Sequence, residues 1–279
     1  MAIKQYNPTT PARRGMTSQD FSGITTKKPL KSLLKIKKTT AGRNNQGRIT
    51  TRHRGGGVKQ FYRLMNYRLP AGTEAVVEHI EYDPNRSARI ARIKDQHGLR
   101  HYVIAGNTMK PGATISVGAD VAIEPGNRLP LSSIPAGSLI YNLELQVGRG
   151  AQAVRAAGGK AQLMARDEEY AQVKMPSGEV RRIRVECEAT LGVIGNEQHG
   201  NVKIGSAGRK RRMGIRPTVR GVVMNAADHP HGGGDGGRHG PGKAPRTPWG
   251  QLTLGYRTRR RKYSTKMIVK SRHEAKRKR

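Results

Sequence analysis

The stretch LIYNLELQV, residues 139–147, decides the fold class. Leu139, Tyr141, Leu143, Leu145 and Val147 alternate with Ile140, Asn142, Glu144 and Gln146, a period of two that suits a half-buried strand. Working outward, Val76, Ile80 and Tyr82 share one parity of another run. Short runs of the same kind follow at 89–94, 99–105, 114–117, 120–123, 161–165, 170–175, 180–185 and 190–194. Turn chemistry separates them: Asp83-Pro84-Asn85, Asp95-Gln96-His97-Gly98, Pro125-Gly126-Asn127 and Pro176-Ser177-Gly178. About ten short strands within roughly 135 residues predict small barrels or sandwiches rather than βαβ units. Helix has two candidates, AQAVRAA at 151–157 between glycines and SAGRKRRM at 206–213. The first spans about two turns and would hold only by packing, and the second would add one more short turn or two.

The charge is divided as sharply as the pattern. The 279 residues include 53 Lys and Arg against 19 Asp and Glu, a formal net charge of +34. Residues 1–63 hold +14, residues 64–200 hold +1 and residues 201–279 hold +19. A nearly neutral centre, which also holds the strand runs, is flanked by two basic arms that order against a polyanion. The expected organisation is all-β. A basic N-terminal extension covers 1–63, a first barrel 64–125, a second barrel 126–200 with a short helix at 151–157, and a basic, glycine-rich C-terminal extension 201–279. At 34% hydrophobic and 4% aromatic residues, one core cannot run through the whole chain. No apolar run approaches the roughly 18 residues of a membrane span, so no membrane partner is expected. The N-terminus shows no apolar stretch of the secretory kind. Cys187, the single cysteine, forms no internal disulfide and offers no thiol pair for zinc. A cytoplasmic or organelle-matrix setting is expected.

Several segments carry chemistry suited to RNA. Gly42-Arg43-Asn44-Asn45-Gln46-Gly47-Arg48 and Arg52-His53-Arg54-Gly55-Gly56-Gly57, with Lys59 just beyond, mix glycine and arginine. Glycine lets a backbone approach closely, and arginine pairs with phosphate and stacks on bases. A solvated basic linker has a similar composition. YDPNRSAR (82–89) reads as a rigid turn that presents Arg86, with Arg89 re-entering a strand; the alternative is that Arg86 closes onto Asp83. Arg155, with Gln152 on a neighbouring face of the candidate helix, either meets phosphate or merely caps a barrel. Arg209, Lys210, Arg211 and Arg212, then Arg216 and Arg220, continue the basic run.

Asn225-Ala226-Ala227-Asp228-His229-Pro230-His231, followed by three glycines, is the least ordinary segment. His229 and His231 suit insertion into RNA, a metal site completed by Asp235 or His239, or a general base. A glycine loop offers little supporting shell for the last two, so insertion into RNA is the preferred reading. Trp249, in TPWG, offers either a base-stacking face or a docking anchor. Arg257, Arg259, Arg260, Arg261, Lys262 and the terminal 276–279 are phosphate contacts by type, although nuclear localisation runs look similar.

Taken together, GRNNQGRIT (42–50), RHRGGG (52–57), YDPNRSARIA (82–91), GNRLPL (126–131), GRGAQAVRAAG (148–158), PSGEVR (176–181), GSAGRKR (205–211), RGVVMNAADHPHGGGDG (220–236), TPWG (247–250) and TRRRKYS (258–264) carry a resemblance. The chain is similar, almost end to end, to the family of second proteins of the large ribosomal subunit, of bacterial or organellar type. The resemblance implies an oligonucleotide-binding-fold-like barrel, then an SH3-like barrel, with long irregular basic extensions running into the large-subunit rRNA. It implies a primary rRNA binder that supports subunit association, tRNA binding and the peptidyl transferase region. Its neighbours would be small-subunit rRNA across the interface, tRNA and other ribosomal proteins. The family's rRNA-binding arginines fall on Arg86 and Arg155, and its histidine loop on His229 and His231. A catalytic role proposed for that loop within the family is contested, and the RNA is preferred as catalyst. No cofactor, protein-held metal or homo-oligomer is expected; Mg²⁺ bridging to rRNA is the one ion the reading admits. Without the resemblance, a free-standing basic RNA chaperone is the alternative. Two positions depart from the family pattern: Val58 stands where His often follows the triple glycine, and Ala226 where Pro usually follows Met-Asn. Residues 25–40 match loosely.

Overall fold

The computed structural model describes residues 3–234, 244–260 and 263–274. They form two compact units, each assembled from separate stretches of chain. The first takes residues up to 38, 59–206 and those from 264; the second takes 39–58 and 207–263. Both basic arms therefore contribute to both units.

The first unit is all-β, with two small barrels in series. β1 (Ile3–Gln5) pairs with β2 (Thr17–Gln19), and β3 (Leu34–Ile36) pairs with β4 (Phe61–Arg63), both antiparallel. The first barrel follows with β5 (Thr73–Glu81), β6 (Ile90–Asp95), β7 (Arg100–Ile104) and β8 (Thr114–Val117). The second has β9 (Arg128–Pro130), β10 (Leu139–Tyr141), β11 (Leu143–Glu144), β12 (Ala151–Ala153), β13 (Ala161–Arg166), β14 (Tyr170–Lys174), β15 (Val180–Arg184) and β16 (Glu188–Leu191). A last strand, β17 (Ile268–Lys270), comes from the C-terminal segment and pairs with β15. One sheet runs through both barrels in the order β17-β15-β14-β13-β10-β16-β9-β8-β5-β6-β7. Its barrels meet at a parallel contact between β8 and β9, where Val117 faces Arg128.

The sheet closes over two cores. Val77, Ile93, Ile115 and Val117 fill the first, and Leu129, Ile140, Leu163 and Val173 the second. A smaller cluster of Ala88, Ile104, Tyr141 and Ile194 draws on both. Segment 24–38 is tied on by polar bonds. Leu30 N donates to the Tyr102 hydroxyl at 2.8 Å, and that hydroxyl donates to buried Glu81 at 2.8 Å. Burial, and secondarily the Glu81 carboxylate, pushes the Tyr102 phenol up to about 12, so it stays a donor at neutral pH.

Four sequence expectations are corrected. Residues 139–147 are not one strand. Asn142 takes a left-handed φ of 49° and its N–H donates to Val154 O at 3.0 Å. β10 therefore stays in the main sheet while β11 turns away to pair with β12. Ile140 to Glu144 are all buried, so the alternation of faces is lost. In β5 the register shifts between Val77 and His79. Ala75 and Val77 face inward before the shift and Ile80 after it, while Val76 is 46% exposed. The bulge adds one residue and swaps the parity.

The helix expected at 151–157 is a strand and a turn. Gly150 (φ 70°) sets the direction, Ala151 N donates to Tyr67 O at 3.0 Å, and β12 pairs with β11. Val154 then takes φ 53°, a strained conformation for a β-branched residue. With its backbone groups taken by neighbours, so short a segment gains nothing from helical bonds. The run at 120–123 forms no strand. Among the described residues two short α-helices are present. α1 (Pro11–Arg14) is capped by Thr10, whose hydroxyl accepts from Arg13 N. α2 (Ala207–Arg212), in the second unit, falls within the 206–213 candidate.

The bulge makes a direct prediction about β5. Val77→Ala should cost about 2 kcal/mol of unfolding free energy, because Val77 is 1% exposed. Val76→Ala should stay within about 0.5 kcal/mol. Urea denaturation of the two variants checks the register; equal losses would contradict it.

Candidate nucleic-acid interface

The first unit brings two arginine-bearing turns together. At residues 82–89, Asp83 is wholly buried. Its carboxylate accepts from Asn85 N at 2.8 Å, Asn85 Nδ2 at 2.9 Å and Arg86 Nε at 2.6 Å, with Arg63 Nε at 4.0 Å. Asn85 Nδ2 also reaches Phe61 O, and Lys37 Nζ reaches Asn85 Oδ1. Arg86 thus folds back onto Asp83 rather than standing off the tip. Burial opposes its charge, but the bonds to Asp83 and Tyr67 outweigh that and hold its pKa above the ordinary value.

The second turn is 153–158. Arg155 is exposed, its Nη1 donates to Ala151 O at 3.2 Å, and its Cζ sits 4.7 Å from the centroid of the Tyr67 ring. Gln152 beside it is exposed. Ser87 sews the turns together: its hydroxyl accepts from Ala157 N at 3.0 Å and its carbonyl from Asn196 Nδ2 at 2.6 Å. The two turns, one from each barrel, are therefore joined, with Arg155 exposed and the Arg86 side chain 14% exposed. Tyr67 and Ser87 escaped the sequence reading. The alternation of aromatic and basic residues in FYRLMNYR (61–68) was the available signal.

Arg89 goes elsewhere. It is 1% exposed, stacks on Phe21 at 4.8 Å and Tyr82 at 5.5 Å, and bonds Gln19 Oε1 and Asp20 O at 3.3 Å each. Burial lowers its pKa. Its work in this structure is to pin residues 19–21 to the barrel. Lys59 lies over the ring of Phe61 at 5.8 Å.

The second unit holds the remaining candidates. Asn44 accepts from Gln46 N and Arg48 N through Oδ1, both at 3.0 Å, and Gly47 takes φ 76°. The loop so closed leaves Arg43, Asn45 and Arg48 exposed. The glycines at 55–57 lie against the end of α2. Gly55 N donates to Gly214 O at 3.1 Å, and a Cβ on Gly57 would stand 2.8 Å from Gly214 N. No side chain fits there. Arg54 forms a bridge with Ile215, and Arg216 N donates to His53 O. Arg211 Nη1 donates to Gly55 O at 3.1 Å. α2 stacks Arg209, Lys210, Arg211 and Arg212 in its last turn, where cations favour the carbonyl end. Arg220 is exposed. Trp249 is 81% exposed, with Arg52 Cζ 5.5 Å from its ring. Arg257, Arg259 and Arg260 are exposed, and Arg260 reaches the Tyr256 hydroxyl. Arg261, Lys262 and 276–279 lie outside the described residues.

The histidine loop is folded on itself. Asn225 accepts from Asp228 N and His229 N through its carbonyl, and from Ala227 N through Oδ1. His229 is buried against Gly221, where a Cβ would stand 2.5 Å from the ring. Its Nδ1 accepts from His231 N at 3.0 Å, and His231 Nε2 accepts from Arg246 N at 2.8 Å. An imidazole that accepts at Nδ1 keeps its one neutral-form proton on Nε2. Nε2 of His229 is therefore a donor. Desolvation, then His231 and Arg52, lower its pKa, which favours that neutral form. Among the described residues no three of His, Cys, Asp and Glu group as a metal site. Asp235 and His239, weighed for completing one, lie outside the described residues.

Two family models match the chain. Residues 30–117 match the one described as Ribosomal Proteins L2, RNA binding N-terminal domain. Residues 124–250 match the one described as Ribosomal Proteins L2, C-terminal domain. Together they span most of the sequence, and the break between them falls between β8 and β9.

The loop geometry fixes a pH response. The native pKa of His229 lies below that of an unperturbed histidine, about 6.5. The unfolded loop therefore binds the proton more readily. Loop stability is complete above about pH 6.5 and declines as pH falls toward the lowered native value. NMR titration should place the His229 midpoint below 6.5, and Gly221→Ala, by expelling the ring, should return it toward 6.5. An unchanged midpoint in that variant would contradict the packing.

Proposed function

The chain belongs to the ribosomal protein L2 family, and on that premise we propose that it anchors the large-subunit rRNA through the joined Arg86 and Arg155 turns. It is a structural RNA-binding protein of the large ribosomal subunit. The finer reading is that of a primary rRNA binder whose placement supports subunit association, tRNA binding and the peptidyl transferase region. Large-subunit rRNA is the direct partner, with small-subunit rRNA, tRNA and other ribosomal proteins as neighbours. Among the described residues no helix is long and apolar enough to cross a membrane.

The observation that carries this reading is the joining of the Arg86 and Arg155 turns, with Ser87 bonded to Ala157 and both guanidinium groups on Tyr67. Arginines fixed in place suit recognition of a particular phosphate arrangement. The exposed side chains of Arg257, Arg259 and Arg260 suit salt-dependent affinity that ignores sequence. A direct part for His229 in peptide-bond formation is the second reading. It is disfavoured because a general base needs a free lone pair, and in His229 Nδ1 accepts from His231 N while Nε2 carries the proton. Its lowered pKa and its bond to His231 suit a hydrogen-bond donor to RNA.

Arg86→Ala or Arg155→Ala should weaken binding to large-subunit rRNA by roughly 1–3 kcal/mol at fixed salt. Replacing Arg257, Arg259 and Arg260 by Gln should instead flatten the salt dependence, by about one slope unit for each phosphate no longer neutralised. The charge is changed there without truncation, because β17 lies downstream and belongs to the sheet. Filter binding across a salt series separates the two, and identical slopes would refute the division of labour. For His229→Ala in fully assembled ribosomes, single-turnover peptide transfer should fall by less than about tenfold, well short of the ~10²–10⁴ a catalytic base contributes.

A further inference from the structure

Tyr67 lies between named strands, yet it touches both arginine-bearing turns. Its hydroxyl accepts from Arg86 Nη1 at 2.6 Å. Its ring lies under Arg155, with Cζ 4.7 Å from the centroid. Its carbonyl accepts from Ala151 N at 3.0 Å, at the base of the turn that carries Arg155. That approach needs Gly150, since a Cβ there would stand 2.8 Å from the same carbonyl. One side chain thus makes a hydrogen bond with one guanidinium and a cation–π contact with the other.

The chemistry left over is specific. Arg86 spends Nε on Asp83 and Nη1 on Tyr67, which leaves Nη2 for an outside acceptor. Arg155 spends Nη1 on Ala151 O and lies over the Tyr67 ring, which leaves Nε and Nη2 for an outside acceptor. Two cations held this close repel each other. Asp83 offsets one, and a phosphate meeting both would offset the other.

We propose that Tyr67 is a positioning residue that holds Arg86 and Arg155 as one two-pronged clamp for the phosphates of the rRNA backbone. The inference rests on the reading that these two arginines bind rRNA, and goes further by making their contributions depend on each other through Tyr67.

The test uses the full chain and a complete large-subunit rRNA transcript, with Arg86→Ala and Arg155→Ala placed in native, Tyr67→Phe and Tyr67→Leu backgrounds. In the native background each arginine loss should weaken binding about tenfold. Tyr67→Phe keeps the ring and loses the hydroxyl. It should weaken binding about threefold to tenfold, shrink the effect of Arg86→Ala, and leave that of Arg155→Ala whole. Tyr67→Leu should shrink both effects and lower the salt slope by up to about two units, although it removes no charge. A residue that merely stabilised the fold would not move that slope or produce that pattern.

Full-sized arginine effects in folded Tyr67→Phe and Tyr67→Leu proteins would overturn the clamp. Where Tyr67→Leu does not fold, the Phe background decides: equal shrinkage of both effects, or of neither, overturns it. Silence of both arginine variants in the native background would remove the rRNA-binding reading itself, and the clamp with it.

Discussion

A carboxylate with no exposure to solvent must be surrounded by donors, and Asp83 is in that position. Its oxygens hold the Asn85 backbone and side chain, Arg86, and at longer range Arg63. Each of these partners leads somewhere. Asn85 reaches β4 and Lys37, which brings the end of the N-terminal segment onto the barrel. Arg86 reaches Tyr67, and Tyr67 carries Arg155 from the other barrel. The site is therefore an outgrowth of one satisfied buried charge. In a chain with net charge +34, a fixed anion in the interior is also what allows arginines to be drawn together before any RNA arrives.

The two units handle charge in different ways. The first is close to neutral in its barrels and has ordinary apolar cores, so it folds by burial and shows a few arginines in fixed poses. The second is held largely by backbone bonds at glycines, such as Gly55 against Gly214. Its side chains face outward by default, because the glycine contacts leave no room for them within. Backbone packing of this kind spends few side chains on the interior and frees many for a polyanion.

Much of this was legible from residues alone. The strands at 90–95, 114–117, 161–166, 170–174 and 180–184 and the turns between them follow apolar runs and turn chemistry that are local. What escaped was set by distant partners. Asn142 breaks the run 139–147 because its backbone is claimed by Val154, twelve residues away. The bulge in β5 moves Val76 outward through a register that only β6 defines. AQAVRAA reads as helix, but Tyr67 and β11 take its backbone bonds. Within the site, Arg86 and Arg155 were legible as types, and the closure of Arg86 onto Asp83 stood as one of two open readings. Arg89 was not legible as an interior residue, since its aromatic neighbour Phe21 lies far off in sequence. Tyr67 could not be singled out, because its role exists only where two turns from different barrels converge.

The pairing of β3 with β4, and of β17 with β15, changes what the basic segments are mechanically. Residues 37–60 leave and return at adjacent strands. Residues 207–263 depart just beyond β16 and are recaptured by β17. Neither is a free tail; the first is closed by the β3–β4 pair and the second by β16 and β17 within the long sheet. A tail can be drawn into a crevice end-first and slide until it fits. A segment closed at both ends cannot be threaded end-first or slide lengthwise. Its closure is already made in the protein, so ordering against RNA costs less chain entropy than for a tail of equal length.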